Sequence, residues 1–364
     1  MKTGTITFHC SHNFGSTLQT FALQTVLVKN GIDNTVINYV YEFDMRNYSL
    51  FRKHLYLKNP KSLLADIIRF NIRRRRKKNY EAFIAKHIKM TIKEYRSCED
   101  MRELTDQYDT FIAGSDQIWN ASCTAGVVPA YFLDFVEGSG AHTVAYSPSI
   151  GHAEIQPKYQ DDFKKYLKNI NIISVREKST IEEVKKLTAK PVVSVMDPTL
   201  LLCAKEYEAV MVPVDAPFKY IFYYVLEPNF EMDNYVRSLS EKYKLKVIYF
   251  SHKKTSFPHG ELSIFPYGPG EFLYLIKNAS YVVTNSFHAS IFSVLFRKKF
   301  ITYTTKLSYP RMIDFLGSLG LSERINNEAV RIQDPIDYEE TELLLKIERE
   351  KSITFLITSL KREK

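Results

Sequence analysis

Short apolar runs recur along this chain, each closed by a polar turn and followed by an apolar segment at helical spacing. That alternation restricts the chain to a parallel α/β fold. The clearest instance is Tyr281-Val282-Val283, which stops at Thr284-Asn285-Ser286. His288 follows, then Ile291, Phe292, Val294 and Leu295 at helical spacing. This pattern predicts a buried strand, a turn and a helix whose first turn carries a histidine. Such junctions sit at the carboxyl ends of strands, where open α/β sheets bind ligands, and the free N–H groups of a helix start favour an anion.

The alternation begins at once. Residues 5–10 predict a strand, and residues 11–15 a turn. Ser16 with Gln19 three residues on reads as a capping box, and Gly31 as the stop of that helix. Further strands are predicted over 36–39, 110–113, 142–147, 172–175 and 192–195. A second series follows, with strands over 220–226, 246–251, 281–284 and 300–303. Helices start near Glu231, Pro269, His288 and Tyr309. A basic, mainly helical insertion is expected over 61–89, and a long helix over 337–364 that returns to the first domain. Two βα series of similar size predict two Rossmann-like domains facing across a cleft, 1–205 and 206–330, followed by a tail over 331–364.

Composition narrows the setting. With 364 residues, 45% hydrophobic and 25% charged, the chain can bury two cores. Cys10, Cys98, Cys123 and Cys203 are far apart, without CxxC or Cys/His clusters, which argues against structural zinc and a disulfide scaffold. A reducing, cytoplasmic setting fits, and no apolar run is long enough to cross a bilayer. The formal charge is +9, from 50 basic and 41 acidic residues. Much of the excess is local: Arg69, Arg73, Arg74, Arg75, Arg76, Lys77 and Lys78 lie within ten residues. Two readings of residues 73–78 stand side by side. One is a solvated helix face. The other is docking to the inner face of an anionic membrane or to a phosphate-bearing acceptor. No nucleic-acid recognition motif accompanies the run.

The polar residues at strand ends carry the chemistry. Asn13 and Gly15, Asp116, Arg176, Asp197, Ser286 with His288, and Lys306 all fall at turns on the same expected edge. Each also has a structural reading. Arg176 could pair with Glu177, Asp116 could cap a turn, and Asp197 before Pro198 could form one. His288 could be a satisfied core histidine, and Lys306 a surface lysine. Together a histidine, an arginine and a lysine at strand ends suit a small, multiply charged anion. There is no Walker lysine loop, GxGxxG turn, nucleophile elbow or HExxH motif, which argues against ATP or NAD as the anion.

The ordered set Asn13-Phe14-Gly15-Ser16-Thr17-Leu18-Gln19, Gly114-Ser115-Asp116-Gln117-Ile118-Trp119-Asn120, Ser174-Val175-Arg176-Glu177, Asp197-Pro198-Thr199 and Thr284-Asn285-Ser286-Phe287-His288 resembles the polysaccharide pyruvyl transferase family. The resemblance covers roughly residues 4–321. It implies a GT-B-like fold and transfer of the pyruvyl group of phosphoenolpyruvate onto sugar hydroxyls, usually as a cyclic ketal. It places Arg176, His288 and Lys306, with Ser286 beside them, at the donor. His288 and Asp116 become the catalytic candidates, and Asn13, Gly15 and Asp197 the acceptor or loop candidates. No cofactor or metal is implied, and the acceptor sugar, free or lipid-linked, stays open, as does the oligomeric state. Two other readings share the pattern: a glycosyltransferase using a nucleotide-sugar donor, and a non-catalytic glycan- or lipid-binding protein.

Overall fold

The strands are short and mostly buried on both faces, as parallel strands covered by helices must be. The computed structural model describes residues 1–41, 46, 48–57, 59, 61–152, 154–251, 262–263, 266–304, 309–326 and 331–361. They fall into two compact units. The first comprises Met1–Ile67, Ile84–Leu201 and Lys346–Lys364, the second Ile68–Phe83 and Leu202–Leu345.

The first unit holds β1 (Lys2–Ile6), β2 (Asp33–Val36), β3 (Thr110–Ala113), β4 (His142–Ala145), β5 (Ile172–Val175) and β6 (Val192–Ser194). They form one parallel sheet in the order β2-β1-β3-β4-β5-β6. Its core gathers Ile6, Phe111, Trp119, Phe132, Phe135 and Phe163, with Trp119 stacked on Phe132 at 4.9 Å. The second unit holds β7 (Tyr220–Val225), β8 (Lys246–Ser251), β9 (Leu262–Ser263), β10 (Tyr281–Thr284) and β11 (Phe300–Thr302). They too are parallel, in the order β11-β10-β7-β8-β9.

Strand order locates the ligand-binding edge of each unit. In the first sheet β1 lies between β2 and β3, so the chain leaves β1 to one side and later returns on the other. In the second sheet β7 lies between β8 and β10 in the same way. A crevice opens at the carboxyl ends where the order reverses, and open α/β sheets bind ligands there. The motif residues after β1, β3 and β10 therefore stand at the two switch points.

Several boundaries differ from the sequence expectation. The first strand ends at Ile6 because the chain turns, with His9 N donating to Thr7 O at 2.9 Å and Thr7 Oγ1 to Ser115 O at 3.1 Å. The helix that follows is Phe14–Lys29, and Asn13 caps it: Asn13 Oδ1 accepts from Gly15 N at 2.9 Å and Ser16 N at 3.4 Å. Ser16 is thus inside the first turn, and Gln19 is no capping partner. Its amide donates to Thr7 Oγ1 and its Oε1 accepts from Ser115 N, so it joins the turns after β1 and β3. Gly31 does close the helix, at φ +75°. The second strand is Asp33–Val36 rather than 36–39, and β9 carried no legible signal.

The long helix near the end of the chain is Tyr338–Ser359. Up to Leu345 it belongs to the second unit, where Tyr338 donates its hydroxyl to Lys298 O. Its remainder belongs to the first unit, where Arg349 Nε donates to Leu200 O at 2.7 Å and Ser352 Oγ accepts from Met196 N at 3.0 Å.

Candidate active site

In the first unit the turns after β1, β3, β4, β5 and β6 are locked together by their own polar side chains. The chain leaves β3 through Gly114 at φ +128° and Asp116 at φ +70°. A Cβ on Gly114 would lie 2.1 Å from Tyr146 O, so only glycine fits. Ser147, just past β4, also has a positive φ of 56°. Non-glycine residues in this region are uncommon and cluster at functional sites. Ser115 Oγ donates to Ser147 O at 2.7 Å, and Ser149 N to Asp116 O at 2.8 Å. These bonds hold Asp116 with its carboxylate under the start of the Phe14–Lys29 helix, where Ser16 Oγ donates to Oδ2. Gln117 N donates to Oδ1 at 2.8 Å.

Arg176 follows β5 and is the centre of this cluster. Its Nε donates to Glu177 Oε1 at 3.0 Å and its Nη1 to Asp197 Oδ2 at 3.0 Å, with Asp116 Oδ1 at 3.9 Å. Its side chain is 3% exposed. Burial disfavours the charge, but Glu177, Asp197 and Asp116 outweigh it and hold the guanidinium pKa above its ordinary value. Asp197 is a turn former as well: its Oδ1 accepts from Thr199 N at 3.0 Å and Thr199 Oγ1 at 2.6 Å. Arg176 thus pairs with Glu177 and Asp197 forms the turn, as their structural readings expected. The sequence had not singled out Glu177 Oε2 or Ser147 Oγ. Both are buried with no hydrogen-bond partner among the described residues. Glu177 was legible only as a neighbour of Arg176, and Ser147 only as a strand end.

In the second unit Asn285 spans the β7/β10 switch point. Its Oδ1 accepts from Leu226 N at 2.7 Å and its Nδ2 donates to Glu227 O at 2.6 Å. Thr284 Oγ1 donates to Tyr224 O at 2.7 Å. The next residue, Ser286, caps the Phe287–Leu295 helix by accepting from Ala289 N at 3.4 Å. His288 therefore lies in the first helical turn, half-buried, as its place in the sequence predicted. The imidazole is 5.4 Å from the Phe287 ring, and the Arg311 guanidinium lies 5.3 Å over that same ring. Arg311, on the helix after β11, is a second cation on Phe287 that the strand-end pattern did not reach. Lys306 lies outside the described residues.

The structure thus brings Asn13, Gly15, Asp116, Arg176 and Asp197 together in one unit, and Ser286 and His288 in the other. Among the described residues no group of three or more His, Cys, Asp or Glu side chains is placed to hold a metal ion. The sequence matches the polysaccharide pyruvyl transferase family over residues 13–306, which takes in all of these positions.

The chain belongs to the polysaccharide pyruvyl transferase family.

A solved structure agrees on the architecture. A Listeria monocytogenes structure bearing the name UDP-N-acetylglucosamine 2-epimerase is 10% identical, with 97% of this chain and 89% of that chain covered and a TM-score of 0.51. The epimerase from Neisseria meningitidis bound to UDP-GlcNAc is 11% identical over 99% of both chains, with a TM-score of 0.47. At such identities the likeness concerns the fold alone, which is GT-B-like α/β with Rossmann-type units and a long helix near its end. A search of curated proteins by sequence gives no match.

Proposed function

We propose that this family member transfers the pyruvyl group of phosphoenolpyruvate onto two hydroxyls of a sugar in a surface-polysaccharide precursor, closing a pyruvate ketal. The family match over residues 13–306 is the observation that carries this reading.

The chemistry suits the residue types. Phosphoenolpyruvate has a carboxylate and a phosphate, so its binding calls for fixed cations. Protonating its methylene carbon leaves an oxocarbenium-like centre at the carbon that bears the phosphate. One sugar hydroxyl adds there, the C–O bond to phosphate breaks, and a second hydroxyl adds to the same carbon. Of the two hydroxyl protons released, one replaces the proton given to the methyl group and one leaves with phosphate. The steps need a general acid, an anion clamp and a base near the sugar.

His288 supplies the proton or meets the phosphate, at a helix start whose N–H groups already favour an anion. The family resemblance assigns Lys306 and Arg176 to the charged groups of the donor. Glu177 and Asp197 hold the Arg176 Nε and Nη1 in place. Asp116 is the base or a sugar contact.

The test is phosphate release from phosphoenolpyruvate against a panel of nucleotide-linked and lipid-linked sugars, with product mass. The expected product is the acceptor plus a pyruvate unit minus water. An acceptor heavier by a sugar, formed from a nucleotide-sugar donor, would replace this reading with glycosyl transfer.

A further inference from the structure

The Lys61–Ile68 helix is built inside out. It buries Ser62 and Asp66 and exposes its leucines and isoleucines. Ser62 and Asp66, four residues apart on one face, are its buried residues. Asp66 is 0% exposed and is held by Arg52, whose Nη2 reaches Oδ1 at 2.6 Å and whose backbone N donates to Oδ2 at 2.8 Å. Tyr56 OH adds a further contact at 3.2 Å. This buried ion pair fixes which face looks outward. On that face Leu63 is 42% exposed, Leu64 61%, Ile67 55% and Ile68 72%.

An ordinary surface helix turns its apolar stripe to the core, so this inversion calls for an apolar partner. The residues that follow say which kind. Ile72 is exposed, and Arg69, Arg74, Arg75 and Lys78 are exposed along the same stretch. Arg73 and Lys77 are half-buried, and Arg76 is the buried member of the basic run. It is 6% exposed and lies over the Tyr80 and Phe250 rings at 5.5 and 5.4 Å, so it anchors the Phe70–His87 helix. The exposed Arg69, Arg74, Arg75 and Lys78 suit a negatively charged surface. A second copy of this chain would bring like charge against like charge.

We propose that the segment 61–78 is a peripheral membrane anchor that lays Leu63, Leu64, Ile67 and Ile68 into the headgroup boundary of an anionic lipid bilayer, with the following Arg and Lys residues on the lipid phosphates. The Lys61–Ile68 helix is eight residues long, about 12 Å at the usual rise. It can lie in the interface and cannot span it, and no helix among the described residues is long and apolar enough to cross a membrane.

The test is co-sedimentation of the full chain with vesicles of phosphatidylcholine alone and of phosphatidylcholine with phosphatidylglycerol, at low and high salt. Binding is expected only to the anionic vesicles and should weaken with salt. Replacing Arg74→Ala with Lys78→Ala should weaken it about 30-fold, at about fivefold per charge near the surface. Replacing Leu64→Ser with Ile67→Ser should weaken it at least about tenfold, since both side chains leave water on docking. Trp119 emission reports that each variant is folded. Unchanged vesicle binding by the folded Leu64→Ser, Ile67→Ser protein would overturn the proposal, as would absence of binding by the wild type. Preferential binding of duplex DNA over vesicles, or a wild-type dimer that this pair of changes dissociates, would also overturn it.

Discussion

Arg176 and Asp197, 21 residues apart in sequence, form a buried ion pair with Nη1 donating to Oδ2 at 3.0 Å. The same guanidinium holds Glu177 at 3.0 Å, so one side chain fixes the turns after β5 and β6. Removing it leaves buried carboxylates without their cationic partner. An Arg176→Met protein should lose on the order of 3–5 kcal/mol in urea unfolding. The double variant with Asp197→Asn should lose less than the sum of the two single changes. Strict additivity would contradict this account of the cluster.

Gly114 is fixed by geometry rather than by entropy. Its φ of +128° and the 2.1 Å approach of Tyr146 O leave no room for a methyl group. Gly114→Ala should therefore cost more than about 4 kcal/mol, or prevent soluble expression. A Gly31→Ala change strains a positive φ but meets nothing within 4 Å, and should cost only about 1 kcal/mol. Equal losses from the two changes would contradict the steric argument.

His9 predicts a pH dependence of stability. It is fully buried in the turn after β1, with Nε2 3.0 Å from Asn38 Oδ1. Burial lowers its pKa below the usual 6.5, against smaller opposing effects of Asn38, Thr7 and Glu94. Above pH 6.5 the imidazole is neutral in both folded and unfolded chains and contributes no slope. Below it the unfolded chain takes up a proton that the folded chain resists, so stability falls as pH falls, by up to about 1.4 kcal/mol per pH unit. Urea midpoints measured between pH 7 and 5 should show this drop, and His9→Gln should flatten it. The same slope in the variant would exclude His9 as its source.

Trp119 is the chain's one tryptophan, 2% exposed, stacked on Phe132, with its indole N–H donating to Tyr131 O at 3.0 Å. Its emission should be blue-shifted and insensitive to added iodide. Trp119→Ala should cost about 3–5 kcal/mol. A solvent-exposed spectrum in the folded protein would contradict the packing of this core.

The fold was largely legible because parallel strands buried on both faces read as unbroken apolar runs. Thr110–Ala113, Ile172–Val175 and Lys246–Ser251 fall where the pattern put them. Turns were less legible. The role of Gln19 depends on Ser115 and Thr7, which are remote in sequence, and local spacing instead suggested a cap with Ser16. The candidate residues Asn13, Asp116, Arg176 and Asp197 were visible as polar residues at strand ends. Their shared hydrogen bonds arise from strand order, which periodicity does not encode. The inverted Lys61–Ile68 helix was hidden for a related reason: its apolar spacing looks the same whether the stripe faces the core or solvent, and Arg52 decides between them.

Calorimetric titration with phosphoenolpyruvate tests the central claim most directly, because it needs no acceptor. The wild type should bind phosphoenolpyruvate saturably, and His288→Ala should bind it at least about tenfold more weakly, as expected for loss of a charge-assisted contact, with Trp119 emission unchanged. A wild-type protein that gives no heat with phosphoenolpyruvate yet binds a nucleotide sugar would contradict the account.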